Sequence, residues 1–189
     1  AIKNHWVYIL SVLMLTGYLG IAYYLAAAFL PTYLQSVLHI KHTMAMTVTV
    51  FGAATYAFAA PFFGSLTDKV GRKPVLIVAT LIIGFSIYPL FLLFNHGTWS
   101  SMLFAEFIFM LSISASTAAF VVYINEFFPT KQRLSGVAAG YNIGNALFGG
   151  TTPLVVTYLI HRYATHMAPC YYLIVASVII LPIMLLLPE

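Results

Sequence analysis

Charge is scarce in this chain: Asp, Glu, Lys and Arg make up 6% of its 189 residues, where a soluble domain carries about a quarter. With 62% of residues hydrophobic and a mean hydropathy of +0.97, it cannot cover a water-facing surface. Lipid must be the solvent for most of it. Cysteine is nearly absent. Cys170 stands alone, which excludes an internal disulfide and any metal site built on cysteine. Four acids against eight basic residues give a net charge of +4. In a soluble protein that balance would point to nucleic acid. Here the basic residues fall between hydrophobic runs and act as topology determinants, so no nucleic-acid partner is expected. Also missing are a nucleophile–base pair, a metal-binding constellation and a phosphate-cradling glycine loop, so neither enzymatic chemistry nor a metal or cofactor is expected.

What the chain has in quantity is long apolar runs. A membrane-spanning helix needs about 20 mostly apolar residues. Six stretches qualify, at about 6–34, 44–66, 74–94, 100–123, 135–160 and 168–187. The expected fold is therefore an all-α membrane protein, a single bundle of six transmembrane helices. The chain starts Ala1-Ile2-Lys3-Asn4-His5-Trp6 and leads into a run too long for a cleavable signal. With the N-terminus inside, Lys3, Lys69, Arg72, Lys73, Lys131 and Arg133 are cytoplasmic, and only Lys41 and Arg162 lie outside. The positive-inside rule then puts both termini in the cytoplasm. Trp6 and Trp99 fall at expected span ends, where amphipathic rings favour the interface.

Proline and glycine recur within the spans. Gly17, Gly20 and Pro31 fall in the first, Pro61 in the second and Pro89 in the third. Gly149, Gly150 and Pro153 interrupt the fifth, and Pro182 the sixth. Such residues bend helices that neighbours then re-satisfy, and they are also simply common in membrane helices. Gly136, Gly140 and Gly144 recur every four residues, which forms a helix face suited to close packing.

Two connections hold most of the charge. The first runs from Gly64 through Asp68, Lys69, Gly71, Arg72 and Lys73 to Pro74; the second runs from Glu126 to Gly136 and includes Lys131 and Arg133. Gly71 permits a positive φ, and Pro74 suits the first turn of a helix. Asp68, Arg72, Glu126 and Arg133 on one membrane face form either a charge network that opens and closes or an ordinary set of solvated loop charges.

The first connection resembles the signature loop of the major facilitator superfamily, G-x-L-x-D-R-x-G-R-R/K, with Lys69 where Arg is usual. The second resembles the corresponding region of that superfamily's metabolite:proton symporters. Its residues are Glu126, Phe128-Pro129-Thr130, Arg133, Gly136, Tyr141-Asn142, Ala146-Leu147-Phe148-Gly149-Gly150 and Pro153. The resemblance covers the whole chain but only the C-terminal six of twelve spans. It implies two six-helix bundles rocking around a midplane site, with Asp68, Arg72, Glu126 and Arg133 helping to hold the cytoplasmic side shut. It further implies a plasma (bacterial inner) membrane location. The partners it implies are lipid, a small polar metabolite, protons, and the missing N-terminal half or a second copy of this chain.

Polar residues at membrane depth mark where a substrate or proton would bind. Glu106 is the only acid inside an expected span, roughly 10 Å from its outer end at ~1.5 Å per residue. Asn142 and Asn145 share a helix face and Tyr141 lies four residues before Asn145, an arrangement that suits either a polar ligand or interhelical hydrogen bonding. Tyr23 and Tyr24 lie mid-span in the equivalent of a cavity-lining helix. His39, His42, His96, His161 and His166 all fall on the expected outer side without a partner carboxylate. Three functions remain open: half of a proton-coupled symporter of a zwitterion or organic acid, an exporter of the same fold, and a non-transporting receptor or assembly subunit.

Overall fold

The structure, a computed structural model, describes the backbone of residues 2–126 and 130–187 and the side chains of 8–125 and 136–187. Six helices are long and apolar enough to cross a membrane. They are span 1 (Tyr8–Ser36), span 2 (His42–Val70), span 3 (Arg72–Asn95), span 4 (Trp99–Asn125), span 5 (Gly136–Tyr163) and span 6 (Ala168–Leu186). Helices are what lipid demands, since each backbone polar group must find its partner within the chain. The ends outrun the hydropathy boundaries. Residues 67–70, expected beyond the end of span 2, complete it, and Arg72 and Lys73 already belong to span 3. Charge ends an apolar run without ending the hydrogen-bond ladder, and Gly71 N–H still reaches the Thr67 carbonyl at 3.0 Å. The reversal is made by Gly71 alone, at φ +103° and ψ +152°, a conformation open essentially to glycine only.

Spans 1 and 5 each contain one π-helical turn, Leu25–Phe29 and Asn145–Gly149. Both lie just before a proline. Pro31 has no N–H to offer the Ala27 carbonyl, and Pro153 none for Gly149. The ladder slips by one residue instead: Leu30 N–H bonds to the Leu25 carbonyl and Gly150 N–H to the Asn145 carbonyl at 2.8 Å. In span 5 two hydroxyls take up nearby carbonyls. Thr151 donates to Leu147 at 2.6 Å and Thr152 to Phe148 at 2.7 Å.

The bundle closes through small residues and a few polar ties. Span 5 lies against span 1 at its glycines. A Cβ on Gly144 would strike the Leu13 carbonyl, and one on Gly140 would come within 2.8 Å of Val12. Gly20 and Gly149 face each other, a Cβ on either meeting the other's Cα at about 3.0–3.1 Å. Gly136 stands at the start of the described part of span 5. At the end of the bundle that holds Lys41 and Arg162, Tyr33 O–H donates to the His166 carbonyl at 2.9 Å and accepts from Asn95 at 3.1 Å, tying spans 1 and 3 to the connection before span 6. At the opposite end the Lys73 ammonium donates to the carbonyls of Leu185 and Leu187, closing the C-terminus of span 6. Spans 1 and 4 are mostly buried, with 67% and 61% of their apolar windows enclosed, against 11% and 22% for spans 2 and 5. Span 2 flanks span 4 and span 5 flanks span 1, which leaves a concave face between the two flanking helices.

Candidate functional site

A cavity of ≈ 300 Å³ opens on that face, near mid-depth. Span 1 contributes Thr16, Gly20, Tyr23 and Tyr24; span 2 contributes Tyr56; span 4 contributes Thr117 and Phe120; span 5 contributes Tyr141 and Asn145. Rings dominate its wall. Tyr23 lies 5.6 Å from Tyr56 and 6.2 Å, edge-on, from Tyr24 between centroids, and Tyr141 stacks on Phe120 at 6.4 Å. The two π turns help aim this wall. Tyr24 immediately precedes the first and Asn145 begins the second. A π turn rotates the following helix relative to the preceding one, which suits a segment that must point its last regular residue inward.

Four of the six residues expected at a substrate or proton site thus meet in one place: Tyr23, Tyr24, Tyr141 and Asn145. Asn142 does not join them; it is exposed and outside the cavity wall. Glu106 is also elsewhere. It is fully buried, in the seam between spans 4 and 2, where a Cβ on Gly52 would overlap its carboxyl group. Neither carboxyl oxygen has a hydrogen-bond partner among the described residues. Tyr56, Thr117, Phe120 and Thr16 are lining residues not anticipated from the sequence. Tyr56 carried the same signal as Tyr23, a tyrosine near the middle of a long apolar run.

Of the expected charge network, the described residues contain one half. Asp68 and Arg72 form an i,i+4 ion pair at 3.9 Å, with side chains 69% and 37% exposed. Lys69 lies in the last turn of span 2, Gly64 sits in open space, and Lys73 serves span 6. Glu126 and Arg133, the other half of the expected charge network, have side chains outside the described residues. Of the histidines expected on the outer side, His42 shares a 2.7 Å hydrogen bond with Gln35, and no metal-binding group of three occurs among the described residues.

Six membrane-spanning helices around a polar mid-depth cavity, joined on one face by a one-glycine reversal between Asp68 and Arg72, fit one family model, that of the Major Facilitator Superfamily, which matches residues 12–189. The chain belongs to the major facilitator superfamily. It is an integral membrane protein, and its six spans make one bundle, half of the superfamily's twelve-helix fold. Among curated proteins it is 32% identical over 181 residues to the ectoine/proline transporter ProP of Corynebacterium glutamicum, covering 94% of this chain and 35% of that protein. It is 27% identical over 176 residues to the proline/betaine transporter of Salmonella typhimurium, covering 93% and 35%. It is also 27% identical over 175 residues to the citrate-proton symporter of Klebsiella pneumoniae, covering 92% and 39%. The chain therefore spans little more than a third of the length of these relatives.

Proposed function

We propose that this chain is the C-terminal half of a secondary transporter. The whole protein takes up a small polar metabolite with protons by alternating access across the bacterial inner membrane, and both termini of this half lie in the cytoplasm. The cavity carries the reading. A concave polar pocket at mid-depth, built on the open face of one bundle, is what a second bundle would complete. The named activities of the relatives, all transport, favour the same class over an enzyme. Orientation is supported by charge: Lys69, Arg72 and Lys73 lie at one end of the bundle, Lys41 and Arg162 at the other.

Among the relatives' substrates, the wall of this half favours a zwitterion with a cationic head over citrate. Its lining has no Lys or Arg to balance a tricarboxylate. It offers four tyrosines and a phenylalanine, whose ring faces attract an ammonium group, with Asn145 and two threonine hydroxyls as hydrogen-bonding partners. The test is uptake of labelled betaine, proline and citrate by cells expressing the full-length protein, with and without a protonophore. Accumulation of betaine or proline that collapses with the protonophore is the expected result. Uptake indifferent to the protonophore would remove proton coupling and keep transport; a preference for citrate would remove the zwitterion.

A further inference from the structure

Glu106 has no role in the cavity wall, yet it is the one fully buried acid among the described residues. An ionised carboxylate needs a cation or several donors when water is excluded, and its uncompensated burial is far more expensive than that of the neutral acid. This one has neither. Both its oxygens lack a hydrogen-bond partner among the described residues, and the Asp68–Arg72 ion pair at the far end of the bundle does not involve it.

The neighbouring helices do not rescue the charge. Span 2 carries Tyr56 at depth and His42 at its exposed first residue, span 3 carries Tyr88 with His96 just past its end, and span 1 carries Tyr8, Tyr18, Tyr23, Tyr24 and Tyr33. None of these bonds to the carboxyl group. Arg72 and Lys73, on the helix packed beside span 4, lie at the opposite membrane face. The contact that is made is steric: Gly52 of span 2, the only residue type without a side chain, rests on the acid. The room left by the missing Cβ is the room the carboxyl group occupies.

The position couples this acid to the cavity. Glu106 lies seven residues into span 4 from Trp99 and Gly52 ten residues into span 2 from His42, roughly 10 and 15 Å from the outer ends. Tyr56 lies one helical turn further along span 2, in the cavity wall against Tyr23. Its carbonyl accepts a 3.0 Å hydrogen bond from Ser114 of span 4. The two helices that enclose the acid are therefore those that set the place of a cavity ring. Separating them enough to wet the carboxyl group moves Tyr56, and a ligand pulling on Tyr56 bears on the seam.

We propose that Glu106 is a proton-binding site on the outer side of the cavity, loaded while span 2 rests on span 4 at Gly52 and emptied when the two spans part. On emptying, the carboxyl O–H bond breaks, its electron pair stays on the oxygen, and the proton passes to water entering the seam. Reloading restores a neutral side chain that the dry seam tolerates. The proposal deepens the transport reading and rests on it.

The test uses the full-length protein in proteoliposomes, with labelled betaine and proline as substrates and a pH-sensitive dye inside. In the wild type an inward proton gradient drives accumulation and the interior acidifies with it. Glu106→Gln, equal in size and unable to titrate, keeps exchange of labelled for unlabelled substrate but falls to passive equilibration, with no acidification. Glu106→Asp recovers gradient-driven accumulation. A Glu106→Gln protein that accumulates substrate and acidifies like the wild type overturns the proposal. Infrared spectroscopy decides independently of transport: the carbonyl stretch of a protonated, buried carboxyl group is present in the wild type and gone in Glu106→Gln. If that band is missing from the wild type, the proton site fails while the transport reading stands. If the band is present but no substrate moves in the wild type, the transport reading fails instead.

Discussion

Tyr56 and Tyr23 face each other 5.6 Å apart, and their rings, more than their hydroxyls, are what a cationic head would meet. An aromatic face on a desolvated cation contributes about 1–2 kcal/mol, and 1.4 kcal/mol is tenfold in affinity. Tyr56→Ala is expected to raise the KM for betaine uptake about tenfold, and Tyr56→Phe to leave it nearly unchanged. The concentration dependence of uptake separates them; an intolerant Phe beside a tolerated Ala would assign recognition to the hydroxyl. The two asparagines give a sharper contrast. Asn145 lines the cavity and its amide oxygen sits between Gly20 and Gly149, whereas Asn142 is exposed outside it. Losing a buried hydrogen-bond partner costs about 1–3 kcal/mol, so Asn145→Ala is expected to weaken substrate binding by roughly fivefold or more. Asn142→Ala has little effect on the same measurement. Spacing alone put the two asparagines on one face. They differ because the wall takes the stripe of Tyr141 and Asn145, and at 3.6 residues per turn Asn142 stands about 100° round the helix from Tyr141, beyond the edge of that stripe.

Within and between helices, the glycines of span 5 offer the cleanest comparison. A Cβ on Gly144 would meet the backbone carbonyl of Leu13, which cannot rotate away, whereas Gly64 faces open space. Gly144→Ala is expected to lower stability by about 1–3 kcal/mol through overpacking. Gly64→Ala is expected to be neutral or to stabilise by up to about 1 kcal/mol, through the lower unfolded-state entropy of alanine. Thermal unfolding of the purified protein in detergent reads both, and a Gly144→Ala protein as stable as the wild type would mean that spans 1 and 5 do not touch there. The glycine period was visible in the sequence because helix geometry is local; its partner, span 1, was not, since which helix a small face meets is decided by the whole bundle. The interruptions had the same split character. Pro31 and Pro153 announced a fault in the ladder, and only the structure shows how it heals, through the Thr151 and Thr152 hydroxyls in span 5. Hydropathy found all six spans and misjudged the ends of span 2, because Asp68 and Lys69 are polar and still helical. Glu106 was legible as the one acid at depth, but its seat on Gly52 was not: no rule of spacing links residues on two separate helices.

Across the whole molecule, the exposed Asp68–Arg72 pair contributes about 1 kcal/mol or less to this bundle, as surface pairs do. If its purpose were to hold the reversal at Gly71 together, its loss would pass unnoticed, because the glycine already makes the turn. A larger effect requires a state in which the pair is covered by something else. The second bundle of a two-bundle transporter would cover it when the cytoplasmic side is shut, and breaking a desolvated charge pair costs about 3–5 kcal/mol. Asp68→Asn is therefore expected to leave thermal unfolding and substrate binding near wild type while strongly slowing uptake. It should also shift the protein toward its inward-open state. Accessibility gives the readout: in a full-length background cleared of every native cysteine, Cys170→Ser included, Thr117→Cys reports on the cavity wall. An impermeant thiol reagent applied from the cytoplasmic side should label it faster when Asp68→Asn is present. Equal labelling with slowed uptake would place the role of Asp68 outside the gate. A fall in thermal stability matching the loss of uptake would mean that Asp68 acts within this bundle alone.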